Sequence, residues 1–187
     1  TLDRSSAASD VYKRQLLGLP SSGKTTIGKK LAAELFLPFI DTDTIIEDLH
    51  RQQYNLSYSC RKIYQTYGEA KFRMLESEAI FSLQNRSSTI ISLGGGAICN
   101  SEILPFLQAL GELVQLHISK QTLYSRLLLN PPAFLSKTNF DTFYEYRMQC
   151  LKRIPSHIID VDDKNLAEII HFLSTLYIHI NSRHYGQ

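Results

Sequence analysis

The chain of 187 residues is 43% hydrophobic and 20% charged, which is typical of one globular domain and excludes extended disorder. Lysine plus arginine number 20 and aspartate plus glutamate 18, so the formal net charge is +2. That balance excludes nucleic-acid or membrane binding that depends on bulk positive charge.

The three cysteines, Cys60, Cys99 and Cys150, are widely spaced and form no CxxC pair. We expect three reduced thiols, as is usual in a reducing compartment. The expected location is therefore the cytoplasm, or a plastid if a transit peptide preceded this chain. The longest apolar stretch, residues 169–180, is too short to span a bilayer.

Residues 1–14 have no helical or strand period, and we expect a non-native or disordered tail there. The first predicted strand is Leu16-Leu17. An amphipathic helix follows, with Ile27, Leu31 and Leu35 at intervals of four residues.

Between this strand and this helix, the segment Gly18–Thr25 matches the pattern GxxxxGK[ST]. Its glycines let successive backbone N–H groups turn towards an anion, and the helix N-terminus adds its positive dipole end. The pattern predicts a nucleoside triphosphate site in which Lys24 reaches the β- and γ-phosphates and the Thr25 hydroxyl binds Mg²⁺. The predicted ATP-binding residues of the loop are Ser21, Ser22, Gly23, Lys24, Thr25 and Thr26.

The second predicted strand, Phe39-Ile40, leads directly into Asp41-Thr42-Asp43. Ligands of parallel sheets bind beyond the carboxyl ends of the strands, so these carboxylates are expected near the triphosphate. One suits a magnesium-bound water and the other an acceptor hydroxyl, which makes Asp41 and Asp43 candidate catalytic residues with Lys24. The alternative is that an aspartate only caps the next helix.

Residues 44–85 contain no predicted strand and are predicted to form a helical substrate-binding region. The third predicted strand, Thr89–Leu93, runs into Gly94-Gly95-Gly96. Three glycines after a buried strand indicate that a ligand lies against bare backbone, although a flexible turn is the alternative.

The remaining predicted strands are Leu113–Ile118 and Ile158–Val161, and residues 129–141 are predicted to form a mobile loop. The last helix, from Leu166 to Tyr177, has one apolar face that is expected to pack on the sheet. The alternation of strands and helices predicts an α/β fold with a parallel sheet.

Taken together, the segments GLPSSGKTTIGKKLA, FIDTDTIIE, FR, SLGGGA and RIP resemble the shikimate kinase family in order and spacing. The resemblance extends from about Leu16 to Leu176. It implies a three-layer αβα fold of the P-loop kinase type, with a five-stranded parallel sheet and a mobile lid. Residues 15–187 would then form a single domain.

The resemblance also implies an activity: transfer of the γ-phosphoryl group of ATP to the 3-hydroxyl of shikimate, on the route to the aromatic amino acids. By motif position, Asp43 would bind the shikimate hydroxyl and Asp41 would contact Mg²⁺ through water. Arg73 and Arg153 would bind the carboxylate. The family further implies backbone contacts from Gly95 and Gly96 and an adenine-side contact from Arg126. Our own expectation is a monomer that binds neither nucleic acid nor membranes.

The sequence departs from the family pattern in the lid, where residues 130–135 contain no arginine. An arginine on the transferring phosphate can increase the rate by about 10³ to 10⁵. Lys137 is the nearest lid cation, and we expect it to substitute in part. Ser21 stands where the family prefers glycine and fits only with a negative φ. The residues of 162–165 that would fold over adenine stay unassigned.

Two other functions remain open at this stage. One is another small-metabolite kinase of the same fold, such as a gluconate kinase. The other is a catalytically weak nucleotide-binding protein, which the missing lid arginine would explain.

Overall fold

The structure is a computed structural model that describes residues 13–86, 88–129 and 139–184, with side chains as far as residue 178. Its strands are β1 Lys13–Gly18, β2 Phe39–Asp41, β3 Ile90–Ser92, β4 Gly111–His117 and β5 His157–Asp160. Its helices are α1 Lys24–Glu34, α2 Thr42–Tyr54, α3 Cys60–Phe81, α4 Leu104–Leu110, α5 Lys120–Leu129, α6 Phe140–Lys152 and α7 Leu166–His184. A short 3-10 helix covers Ala97–Cys99.

The five strands form one parallel sheet in the order β2-β3-β1-β4-β5. The predicted five-stranded parallel sheet and its helical layers are therefore confirmed. Because β1 lies between β3 and β4, the chain crosses to opposite sides of β1, and this switch point opens a crevice at the carboxyl ends of the strands.

The first strand begins earlier than the sequence suggested, and this corrects the predicted tail. Lys13 and Arg14 belong to β1, paired with β4 from Lys13↔Gly111 onward, and both are buried. Their polar ends find partners: Lys13 Nζ donates to Gln84 O at 3.2 Å, and the Arg14 guanidinium lies 5.1 Å from the centroid of the Tyr177 ring. Residues 1–12 lie outside the described residues.

The helical region between β2 and β3 has a small core of its own. Ile46 of α2 packs there with Ile63, Leu75 and Ala79 of α3, separately from the main core around the sheet. Helix α3 bends at Gly68, whose φ is 80°. The region begins at Thr42 rather than at 44, because Asp41 caps α2.

The expectation of three reduced thiols was wrong for two of them. Cys99 and Cys150 form a disulfide with their Cα atoms 5.2 Å apart, while Cys60 is free. Spacing along the chain could not reveal this pair, since 51 residues separate its members. Among the described helices, none combines the length and apolar character that a membrane span requires.

Candidate functional site

A cavity of about 550 Å³ lies at the carboxyl ends of β1, β2 and β3 and continues into the helical region. Its volume is in the usual range for small-ligand sites. The walls come from the GxxxxGK[ST] loop, from the residues after β2 and β3, and from α3 and α6. They are Pro20, Ser21, Gly23, Lys24, Thr25, Thr26, Asp41, Asp43, Cys60, Arg61, Tyr64, Phe72, Arg73, Glu76, Ser92, Leu93, Gly94, Gly95, Gly96 and Arg147.

Lys24 is held inside the loop that carries it. Its Nζ donates to Gly18 O at 3.0 Å and to Leu19 O at 2.7 Å, and it lies 3.4 Å from Ser22 Oγ. Burial lowers the pKa of Lys24 to about 8, although the carboxylates of Asp41 and Asp43 act in the opposite direction. Because the Lys24 ammonium is already removed from water, it can donate its hydrogen bonds to a phosphate in place of the two carbonyls without a further loss of hydration.

The loop backbone differs from the expectation at Ser21, whose φ is 60° rather than negative. A left-handed serine costs about 1 to 2 kcal/mol, so the surrounding contacts must hold it there. One of these is Arg126 on α5, whose Nη1 donates to Ser21 O at 2.9 Å. Arg126 therefore contacts the loop but does not line the cavity. Ser22 contacts Lys24 Nζ and does not line the cavity either.

Thr25 and Asp41 bring two side-chain oxygens together in the cavity wall. Thr25 Oγ1 donates to Asp41 Oδ2 at 2.7 Å. The other oxygen, Asp41 Oδ1, accepts the backbone N–H of Asp43 at 3.1 Å, as a helix cap does. Asp41 therefore caps α2, and its other carboxylate oxygen lies next to Thr25, where the contact with Mg²⁺ through water stays a prediction.

Asp43 is the second residue of α2, in its first turn, and it lines the cavity. Removal from bulk water, followed by the nearby charge of Asp41, raises the pKa of Asp43 to about 6, against the opposing effect of Lys24. A carboxylate with that pKa is mostly ionised at neutral pH, and it accepts a proton more readily than an ordinary aspartate.

Arg73 on α3 forms an ion pair with a buried carboxylate. Its Nη1 donates to Glu76 Oε2 at 2.7 Å, and Nη2 lies 3.5 Å from Glu69 Oε1. Burial tends to lower the pKa of Arg73, but the two glutamates more than offset this and raise it. The side chain remains 25% exposed, so the guanidinium can still accept a ligand from the cavity.

The three glycines after β3 line the cavity, and none of them has room for a side chain because other side chains of the protein occupy that space. A Cβ on Gly94 would lie 2.7 Å from Asp43 Oδ1, and one on Gly95 would lie 2.9 Å from Pro20 Cγ. A Cβ on Gly96 would overlap Nη1 of Arg73. Bare backbone is thus needed to let Asp43 and Arg73 reach their positions, which is more specific than the predicted contact with a ligand ring.

Arg147 lines the cavity together with Arg61 and Arg73, whereas Arg153 does not line it, and its predicted contact with the carboxylate stays a prediction. Arg147 Nη1 donates to Gly95 O at 3.1 Å and to Gly96 O at 3.2 Å. Arg153 follows the end of α6, is exposed and does not line the cavity. The reason is helical phase, because six residues rotate a side chain by about 240° around the helix.

A signal for Arg147 was present in the sequence. It falls at intervals of four between Phe143 and Leu151, and these three are the buried residues of α6. An arginine in the middle of an apolar helical face is unusual and indicates a buried partner or ligand. The prediction named Arg153 because the RIP segment resembles a motif of the family.

Several other residues of the cavity wall were not predicted as site residues, and four of them come from α3. Cys60, Arg61 and Tyr64 lie in the first turns of α3, and Phe72 precedes Arg73. Cys60 Sγ donates to Asp43 O at 3.3 Å, and the rings of Tyr64 and Phe72 meet edge to face with centroids 5.9 Å apart. The aromatic pair supplies an apolar part of the wall, and the Arg73 guanidinium lies 5.7 Å from the centroid of the Phe72 ring.

Two further predicted features are the lid and the loop at 162–165. The lid, residues 129–141, falls largely on 130–138, which include Lys137 and lie outside the described residues. The loop 162–165 does not line the cavity. Asp162 instead accepts the backbone N–H of Ser119 at 2.9 Å.

Comparisons with known proteins agree with this geometry. A family model described as shikimate kinase matches residues 20–176. A shikimate kinase of Clostridium botulinum is 31% identical over 166 residues, which cover 89% of this chain and 86% of that protein. The solved structure of shikimate kinase from Bacteroides thetaiotaomicron is 27% identical, with a TM-score of 0.70 over 89% of this chain and 98% of that one.

A shikimate kinase of Bacteroides fragilis is 38% identical over 112 residues. That match covers 60% of this chain and 59% of the relative, so it spans less than two thirds of the relative's length.

Proposed function

Since the chain belongs to the shikimate kinase family, we propose that it transfers the γ-phosphoryl group of ATP to the 3-hydroxyl of shikimate. Phosphoryl transfer between two small substrates requires that one cavity holds both, with the acceptor hydroxyl in line with the terminal phosphate.

The observation that carries the proposal is the division of the cavity between two kinds of group. At one end, Lys24 and Thr25 suit the phosphates of a nucleotide. At the other, Arg73 and Arg147 suit a carboxylate, since guanidinium groups bind carboxylates through paired hydrogen bonds. Asp43 lies in the same cavity and suits the hydroxyl to be phosphorylated.

In this mechanism the arginines fix the ring by its acid group, and the Tyr64–Phe72 wall packs against its apolar edge. Asp43 orients the hydroxyl and accepts its proton as the bond to phosphorus forms. A pKa of about 6 suits this step, because Asp43 is then ionised before the transfer and still basic enough to take the proton.

The residues present also fit Mg²⁺. A hydroxyl and a carboxylate, Thr25 Oγ1 and Asp41 Oδ2, already lie together, and hard oxygen ligands with room for water are what Mg²⁺ prefers. No cluster of three acidic, histidine or cysteine side chains suited to a metal occurs in the described parts of the chain, which accords with a metal held mainly by phosphates and water. When bound, the ion would neutralise phosphate charge.

The lid supports a second candidate, a nucleotide-binding protein with weak catalysis. Its residues 130–135 lack an arginine, and Lys137 stays our predicted partial replacement. If Lys137 provides this charge, Lys137→Ala lowers kcat. An unchanged kcat would contradict that role.

A coupled assay of ADP release tests both candidates. With ATP and Mg²⁺, we expect release to depend on shikimate and not on gluconate, and to be abolished in Lys24→Met. Gluconate-dependent release would contradict the proposal in favour of another kinase of this fold. ATP binding without shikimate-dependent release would favour the weak nucleotide-binding protein.

A further inference from the structure

The Cys99–Cys150 disulfide lies next to the arginine that reaches the glycine run. Cys99 ends the short 3-10 helix, three residues after Gly96, and Cys150 follows Arg147 by three residues on α6. Arg147 itself bonds to the carbonyls of Gly95 and Gly96. One covalent bond and one guanidinium therefore connect the same two segments.

We propose that this disulfide is a positioning element that holds Arg147 against the glycine run, so that the affinity for the carboxylate acceptor depends on the redox state of Cys99 and Cys150. The inference rests on the proposed function, in which Arg147 binds the acid group of the acceptor.

Arg147 needs such support because burial and the charge of Arg73 both disfavour a charged guanidinium at this position. Burial, and then the charge of Arg73 in the same cavity, lower the pKa of Arg147. Before the acceptor arrives, the charges of Arg73 and Arg147 repel each other, although the Glu76 carboxylate attracts both, so a movement of α6 would relieve the repulsion and weaken that attraction. A covalent bond one turn along α6 restrains that movement.

The disulfide is also placed where a reductant can reach it. Cys99 and Cys150 are both only partly buried. Cys99 further lines a second surface cavity of about 340 Å³, together with Arg73, Arg147 and Tyr146. A change at the disulfide thus acts on a wall that both acceptor arginines share.

The redox step is an ordinary thiol–disulfide exchange with a dithiol. One thiolate of the dithiol attacks a sulfur of the pair, the Cys99–Cys150 bond breaks, and the second thiolate resolves the mixed disulfide. The protein gains two electrons and two protons as two thiols, and the dithiol becomes its own disulfide.

The experiment compares oxidised and dithiothreitol-reduced protein in the ADP-release assay. Thiol counting should give one free thiol, Cys60, in the oxidised form and three in the reduced form. We expect reduction to raise KM for shikimate about threefold to tenfold, the equivalent of one weakened hydrogen bond, with KM for ATP changed less than twofold. Three free thiols after treatment with oxidised glutathione would overturn the proposal.

Two variants separate positioning from simple stabilisation. The double variant Cys99→Ser with Cys150→Ser should have the KM of the reduced protein and no response to dithiothreitol. In Arg147→Lys, which keeps the charge and loses the fork, the response of KM to reduction should disappear. The matched control Arg153→Lys, at the C-terminal end of α6 and outside the cavity, should keep it. A response that persists in Arg147→Lys would overturn the proposal.

The two hypotheses fail in different ways. Shikimate-dependent ADP release with a KM that reduction leaves unchanged contradicts the positioning role alone. No shikimate-dependent release from the oxidised protein contradicts the proposed function. Hydrogen–deuterium exchange then still tests the restraint, since protection of residues 94–99 and 143–152 should fall on reduction, and unchanged protection would refute it.

Discussion

Gly96→Ala provides a sharp test of the acceptor end of the cavity. A Cβ at this position would overlap Nη1 of Arg73 and would lie 2.9 Å from both Cζ and Nη2. Ordinary contacts of a Cβ begin near 3.4 Å, so the guanidinium has to move by at least half an ångström. Nη1 also donates to the buried Glu76 carboxylate, so the displacement should lower both the affinity for the acceptor and the stability of the fold.

The size of the effect follows from what Arg73 would lose. A hydrogen bond between a charged group and its partner contributes about 1.5 to 3 kcal/mol, which corresponds to a factor of about 10 to 150 in affinity. We expect KM for shikimate to rise within that range, while KM for ATP changes less than twofold. The free energy of unfolding should also fall, by about 1 to 3 kcal/mol, because the displaced Nη1 is the atom that pairs with the buried Glu76 carboxylate.

Steady-state kinetics with each substrate varied in turn, together with urea unfolding, measure all three quantities. The control is a double-mutant cycle: added to Arg73→Ala, the Gly96→Ala change should have almost no further effect, since its target side chain is gone. An unchanged KM for shikimate, or an equal effect in the Arg73→Ala background, would refute the reasoning.

Three other outcomes are expected. Arg147→Ala should raise KM for shikimate at least tenfold, while Arg153→Ala should leave it within twofold. Steady-state kinetics of both variants decide which arginine binds the carboxylate, and the reverse order would favour Arg153. The profile of kcat/KM for ATP against pH should fall below about pH 6, as Asp43 gains its proton, and above about pH 8, as Lys24 loses its charge; a profile flat from pH 5 to 9 would contradict both roles. Gly111→Ala should lower the free energy of unfolding, measured in urea, by about 3 kcal/mol. The reason is that Gly111 has a φ of +149° and that a Cβ there would overlap Lys13 O in the paired strand β1. A loss below about 1 kcal/mol would show that the strands adjust.

The nucleotide end of the site was predictable because its parts are neighbours in the chain. The strand, the GxxxxGK[ST] loop and α1 follow one another, so Lys24 and Thr25 are placed by local backbone geometry. Asp41 and Asp43 were predictable for a related reason, since the carboxyl ends of parallel strands meet at one edge of the sheet.

The acceptor end could not be predicted in the same way, because it depends on how distant helices are rotated against the sheet. Arg147 and Arg153 are six residues apart, and only the packing of Phe143 and Leu151 into the core directs Arg147 into the cavity. The glycine run likewise needs its small size because of Arg73, a residue of another helix.

The amino-acid sequence by itself determined the alternation of strands and helices and the phosphate loop, since both depend on residues a few positions apart. The tertiary structure alone decided that β1 begins at Lys13, that Cys99 bonds to Cys150, and that Arg147 meets the glycine run. Each of these joins segments dozens of residues apart, and such contacts form only when the shared core fixes the helices and the sheet relative to one another.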